Sequence, residues 1–154
     1  MPSSDEVEIL IVEDSAADLE LTLHALQKQN LANKVFVVRD GAEALDFLFC
    51  RGKFANRSFI ASPRLVLLDL NLPKINGKEV LEAVRGDPRT RTIPVVIFTS
   101  SKEERDLVDS YGLGANSYVQ KPLDFSEFRD VVRQFGLYWL LVNLPAPVNG
   151  APVR

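Results

Sequence analysis

The chain has little that would staple, metallate or anchor it. Among 154 residues there is one cysteine, Cys50, and one histidine, His24. A single cysteine closes no internal disulfide and suits a reducing cytoplasm. Cys50 reads as a helix residue with no sign of reactivity, and His24 falls near the exposed side of a helical segment with no partner set for metal or catalytic work. No apolar run approaches the roughly 18 residues that a membrane helix needs. The opening residues, "MPSSDEVE", are acidic and lack the basic-then-apolar layout of a secretion signal, so the sequon-like Asn56-Arg57-Ser58 reads as chance. An excess of one charge is also missing. Lys and Arg number 18 against 21 Asp and Glu, a net −3, which points to neither nucleic acid nor a membrane as partner. There is no internal repeat and no low-complexity block. Hydrophobic residues make up 46% of the chain, enough for the single core of one ordinary domain.

What is present is an alternation of two periods. Short apolar or β-branched runs mark strands at 8–12 (EILIV), 35–38 (VFVV), 65–69 (LVLLD), 95–99 (VVIFT) and 117–120 (SYVQ). Amphipathic segments lie between them. Leu19, Leu23 and Leu26 share one helical face, as do Leu45, Leu48 and Phe49, and Val80, Leu81 and Val84. A fourth helix spans about 102–111 before Gly112 and Gly114, and a fifth spans about 126–142 with Ser126 as its N-cap. Five strands alternating with five helices predict an α/β fold with a parallel sheet buried on both faces. Right-handed crossovers leave few topologies, and the flavodoxin-like (βα)5 order 2-1-3-4-5 is one of them. The stretch 52–63 is longer than an ordinary helix-to-strand connection. It fits either a partner surface or a tolerated insertion. The end of the chain, "PAPVNGAPVR", is rich in Pro and Gly and reads as a tail.

The polar residues that follow the strands carry the chemistry. Glu13 and Asp14 follow the first strand, and Asp69 ends the third. Thr99, Ser100 and Ser101 end the fourth, and Lys121 and Pro122 follow the fifth. Parallel strands point one way, so these residues gather at one sheet edge, with Arg39 and Asp40 of the second strand to the side. Burying the carboxylate of Asp69 after four apolar residues is costly unless it is paired. Glu13, Asp14 and Asp69 repel one another unless a cation or protons intervene. Oxygen donors without His or Cys suit a hard ion such as Mg2+. An Asp carboxylate can also act as nucleophile toward phosphorus, with Lys121 and the Thr99 hydroxyl on the remaining phosphoryl oxygens. Taken singly, each residue has an ordinary use: Asp14 with Ser15 as a helix cap, Asp69 as a loop residue, Thr99 as a strand residue, Lys121-Pro122 as a strand terminator.

Together, "LIVEDS", "LVLLDLNLPKINGKEVL", "IPVVIFTSS" and "GANSYVQKPLD", in this order and spacing, make the chain resemble the receiver domains of two-component response regulators over about residues 7–142, with 143–154 as a tail. The resemblance implies that Asp69 is the phosphoacceptor and that Thr99 and Lys121 bind the phosphoryl oxygens. It implies Mg2+ ligation by Asp14, Asp69 and the backbone carbonyl of Asn71, with Glu13 acting through a metal-bound water or from behind the direct ligands. The acid pair here is Glu-Asp rather than the commoner Asp-Asp. The Lys121–Pro122 bond is implied to be cis, and Tyr118 matches the aromatic position that turns inward with Thr99. Such a domain signals by protein contact and is not a turnover enzyme. The absence of a following DNA-binding domain suits a stand-alone cytoplasmic receiver. The 52–63 loop, "LNLPKINGKEVL" and the aromatic last helix look closest to the small regulators paired with cyanobacterial and bacterial phytochromes, which implies a sensor histidine kinase as partner.

Two other classes use parts of this set. Phosphohydrolases of the haloacid dehalogenase type also have an Asp nucleophile, Mg2+, Thr or Ser, and Lys. They normally carry a second Asp two residues after the first, where this chain has Asn71, and their nucleophile normally ends the first strand. A receiver-shaped binding module that is never phosphorylated would not need the complete acceptor set. A second surface lies at the last helix. Phe128, Val132, Phe135, Trp139 and Val142 form one apolar stripe, which leaves Leu137, Tyr138, Leu140 and Leu141 over. The run Phe135, Tyr138, Trp139, Leu140 and Leu141 is the expected surface of a symmetric homodimer. A tail folded back through Leu144, Pro145 and Val148 is the competing reading. Gly136, costly inside a helix, fits a close backbone approach.

Overall fold

The computed structural model describes residues 7–31 and 34–146. Five strands, β1 (Ile9–Val12), β2 (Val35–Val38), β3 (Leu65–Leu68), β4 (Val95–Thr99) and β5 (Ser117–Gln120), alternate with five helices. These are α1 (Ala16–Lys28), α2 (Gly41–Leu48), α3 (Gly77–Gly86), α4 (Glu104–Gly112) and α5 (Phe125–Leu137). The sheet is wholly parallel in the order β2-β1-β3-β4-β5, as the alternation predicts.

The apolar strands are continuous because both sheet faces are covered. Every residue of β1, β3 and β4 is buried. Their side chains alternate between two cores. Leu10, Val12, Val66, Leu68, Val95 and Ile97 face α2 and α3 through Phe47, Val80, Leu81 and Val84. Ile9, Ile11, Leu65, Leu67, Val96 and Phe98 face α1 and α5 through Leu26, Phe128, Val132 and Phe135. α4 is held differently: Ser110 is its one buried residue, while Leu107, Val108 and Tyr111 are exposed.

The helix starts are written in capping side chains, which accept the orphan N–H groups of the first turn. Ser15, Asp40 and Asn76 cap α1, α2 and α3, and Asn76 with Glu79 completes a reciprocal capping box. The fifth helix corrects the expectation of Ser126. Its cap is Asp124, whose carboxylate accepts the N–H of Glu127, so the helix begins before Ser126.

The end of that helix is also different from expectation. The chain widens into one π-helical turn over Tyr138–Val142, closed by the N–H of Asn143 on the Tyr138 carbonyl at 2.7 Å. The wider turn shifts the apolar register. Leu140 enters the core in place of Val142, and Phe135 is buried as well, so neither belongs to a free surface. Trp139 is half-buried against the same core and packs edge-on to Tyr138. Tyr138, Leu141, Val142 and Leu144 remain exposed, so Leu144 does not cover the patch. Val148 lies outside the described residues. Gly136 meets side chains rather than the backbone expected of it: a Cβ there would stand 3.1 Å from Leu31 Cδ1 and 3.2 Å from Leu26 Cδ2.

The 52–63 stretch is structured rather than loose. It forms two 3-10 turns, Gly52–Phe54 and Phe59–Ala61, pinned by the buried guanidinium of Arg57. Arg57 donates to the carbonyls of Phe47 and Ala61 and lies 3.7 Å over the Phe47 ring.

Candidate functional site

The parallel register delivers the strand ends to one edge. Asp69 follows β3 directly, and its N–H donates to the Val12 carbonyl of β1. Glu13 follows β1 and donates its N–H to Val38 of β2, while the N–H of Lys121 reaches the Thr99 carbonyl at 2.7 Å. Backbone ladders therefore place Glu13, Asp69, Thr99 and Lys121 before any side-chain interaction acts. Gly77 at the start of α3 lets the β3–α3 connection fold tightly against the site. A Cβ there would stand 2.3 Å from the Asp69 carbonyl oxygen and 2.7 Å from the Leu70 Cα.

The Lys121 ammonium is the centre of the cluster. Its Nζ donates to Glu13 Oε1 at 2.6 Å, to Asp69 Oδ2 at 2.8 Å and to Asp18 Oδ2 at 2.8 Å. The lysine, Glu13 and Asp69 are nearly sealed from solvent, with side chains 5%, 6% and 8% exposed. Asp69 Oδ1 accepts the N–H of Asn71 at 3.2 Å. Thr99 is fully buried, and its hydroxyl accepts the N–H of Ser101 at 3.5 Å.

Burial pushes the Glu13 carboxyl up to about 7, against the hydrogen bond from Lys121 and with help from the charge of Asp69. Burial works on Asp69 in the same direction. There it is outweighed by the hydrogen bond and charge of Lys121, the Asn71 N–H and the Thr99 hydroxyl, which hold Asp69 below the usual carboxylate range. Burial works to lower Lys121, and the hydrogen bonds to Asp18, Asp69 and Glu13 overcome it and hold the ammonium above the ordinary lysine value. Asp69 is thus an ionised carboxylate in a dry setting.

The other expected residues stand further out. Asp14 is exposed, and its backbone carbonyl accepts Arg39 at 2.6 Å. Asn71 is exposed, and among the described residues no hydrogen bond ends on its carbonyl. Tyr118 is half-buried and donates its hydroxyl to the Ser101 carbonyl at 3.3 Å. Ser101 in turn donates to Asp106, which pairs with Lys78 of α3, so the β4–α4 loop is tied to Tyr118 and to α3. The Lys121–Pro122 bond is trans, a correction of the expected cis form: among the described residues there is no cis peptide. The trans form of an X–Pro bond is favoured by about 0.5–1 kcal/mol, and the ladder bond to Thr99 positions Lys121 with that isomer.

Among the described residues no three His, Cys, Asp or Glu side chains form a ready metal cage, because Lys121 occupies the space between Glu13, Asp18 and Asp69. The donor set nevertheless fits a hard cation. The cluster holds two more carboxylates than ammonium groups, the exposed Asp14 follows Glu13 in the chain, and every carboxylate donor is oxygen. Asp18 was not singled out by sequence reasoning. An Asp in the first turn of a helix is commonplace, and only the fold shows its carboxylate reaching the lysine.

A doubly wound sheet in the order 2-1-3-4-5, with a buried Asp–Lys pair at its carboxyl edge, defines the class. The chain belongs to the response regulator receiver domain family, whose model matches residues 9–133. It is therefore a signalling protein rather than a turnover enzyme. Within the family it is similar to response regulator Rcp1 of Synechocystis sp., 39% identical over 139 residues that cover 90% of this chain and 92% of that protein. The Mn(2+)-bound form of Rcp1 superposes with a TM-score of 0.83 at 36% identity, covering 90% of this chain and 97% of that one. The phosphorylated cyanobacterial phytochrome response regulator RcpA gives 0.82 at 40% identity, covering 88% and 94%. The bacteriophytochrome response regulator AtBRR is 52% identical with a TM-score of 0.70, covering 90% and 99%. Among the described residues no helix is long and apolar enough to cross a membrane.

Proposed function

We propose that this chain is a cytoplasmic response regulator that takes a phosphoryl group onto Asp69 from a sensor histidine kinase of the phytochrome type. One observation carries the reading: an ionised, nearly sealed Asp69 carboxylate at the end of β3, held by Lys121 at 2.8 Å. One Asp69 oxygen forms a bond to phosphorus while the P–N bond of a phosphohistidine breaks, its electron pair returning to the imidazole. Lys121 and the Thr99 hydroxyl receive charge on the phosphoryl oxygens. Asp14, Asp69 and the Asn71 carbonyl would hold Mg2+, with Glu13 bound through water; when present, the ion neutralises charge on the transferring group. The Mn(2+)-bound and phosphorylated forms of Rcp1 and RcpA support this assignment, as does the likeness to AtBRR.

The output would run through Thr99 and Tyr118. A Thr99 hydroxyl drawn to the phosphoryl group pulls on the β4–α4 loop, to which Tyr118 is hydrogen-bonded. Residues 7–142 form the receiver unit and 143–154 its tail. The match across most of Rcp1 supports a single-receiver regulator. The exposed apolar patch of Tyr138, Leu141, Val142 and Leu144 would serve a homodimer.

The test is labelling from acetyl phosphate or phosphoramidate. Mg2+-dependent incorporation that is lost in Asp69→Asn is expected. Incorporation that persists in that variant, or steady turnover of a phosphate ester, overturns the reading.

A further inference from the structure

Lysine has three N–H donors and no acceptor. In Lys121 all three are committed, one each to Glu13, Asp69 and Asp18. A phosphoryl oxygen on Asp69 can therefore bind this ammonium only if one contact is surrendered. The three carboxylates are unequal candidates. Phosphorylation itself turns the Asp69 contact over to the phosphoryl group, so a further ammonium donor for the phosphoryl oxygens comes from Glu13 or Asp18. Glu13 is buried and would lose its partner in a place that water does not reach. The Asp18 side chain is 32% exposed, so water can replace the lysine there.

Local geometry prepares Asp18 for this contact. It is the third residue of α1, the position from which an acidic side chain commonly reaches back to the N-cap N–H. Glu79 does so in α3, accepting from Asn76 at 3.3 Å. In α1 that task has passed to Glu13, whose Oε2 accepts the Ser15 N–H at 3.1 Å. The Asp18 carboxylate is thereby released from capping. Its backbone is fixed at both ends: its N–H donates to the Ser15 hydroxyl at 3.2 Å, and its carbonyl accepts the Thr22 hydroxyl at 2.8 Å.

We infer that Asp18 is a positioning residue for Lys121: it holds the third ammonium donor in the resting protein and yields it to the phosphoryl group on Asp69. The inference rests on the phosphoacceptor reading and adds a competitor within the site. Asp18 steadies the resting lysine and opposes the phosphorylated state. A residue that merely supported the fold would act in the other direction when removed.

Beryllofluoride with saturating Mg2+ serves as the phosphoryl probe, read by tryptophan fluorescence or calorimetry. Asp18→Asn is expected to bind it about two- to fivefold more tightly, the equivalent of one partly exposed ion pair. In a Lys121→Gln background the same substitution is expected to change nothing. Unchanged or weaker binding in Asp18→Asn overturns the inference. So does a gain that survives in Lys121→Gln, since the carboxylate would then act through bare charge. Hydrogen exchange of the Lys121 ammonium, followed by 15N NMR without beryllofluoride, decides the contact independently. Slow exchange in the wild type and faster exchange in Asp18→Asn are expected; equal rates overturn the inference. Failure of the wild type to bind beryllofluoride would count against the phosphoacceptor reading, while the NMR comparison still judges Asp18.

Discussion

A lysine between three carboxylates does two things at the scale of single residues. It keeps Asp69 ionised in a dry site, and it compensates charges that burial alone would neutralise. Replacing it by Gln leaves Glu13 and Asp69 buried without a cation. Unpairing a buried ion pair costs about 3–5 kcal/mol, so Lys121→Gln is expected to lower the urea unfolding free energy by an amount of that order. A loss below about 1 kcal/mol, the ordinary size for exposed pairs, would show that water already screens the cluster. Sequence reasoning found Glu13, Asp69, Thr99 and Lys121 because each ends a recognisable strand. It missed Asp18, since one turn into a helix an Asp looks like a solvated or capping residue. It also expected a cis Lys121–Pro122 bond from resemblance alone, and no local signal in the sequence distinguishes the isomers of one X–Pro bond.

At the scale of elements, period and caps carry most of the information. β2, β4 and β5 span the residues that their runs suggested: β4 is buried at every position, and polar residues bound the half-buried edge strands β2 and β5. The last helix is where that logic fails. A period of 3.6 assigns Val142 to the core, and a single π-helical turn moves Leu140 there instead. The two readings are separable by experiment. Leu140→Ala is expected to cost about 2–5 kcal/mol in chemical denaturation, as for a buried leucine. Leu141→Ala, at a site 68% exposed, is expected to shift monomer stability by no more than about 0.5 kcal/mol. Equal effects, or the reverse order, would contradict the π-turn register. Gly77→Ala addresses the β3–α3 connection. Its Cβ would collide with the backbone of Asp69 and Leu70, so a stability loss of roughly 1–3 kcal/mol together with slower labelling at Asp69 is expected. Normal stability and labelling would show that α3 has room to shift.

On the scale of the whole molecule, a sheet covered on two faces carries the Asp69–Lys121 edge and a separate apolar patch at the π-helical turn over Tyr138–Val142. Tyr138, Leu141, Val142 and Leu144 have no cover among the described residues. A homodimer through that patch is expected to weaken at least tenfold in sedimentation equilibrium when Leu141 is replaced by Asp, with labelling of the monomer retained. An unchanged dissociation constant would move the interface elsewhere. Everything proposed for signalling depends on the chemistry at the sheet edge, and the most direct test is to locate the phosphoryl group. Protein phosphorylated with Mg2+ and acetyl phosphate is reduced with borohydride, digested and mapped by mass spectrometry. Reduction confined to position 69, absent without Mg2+ and absent in Asp69→Asn, is the predicted result. A modified residue elsewhere in the chain, with Asp69 intact, would contradict it.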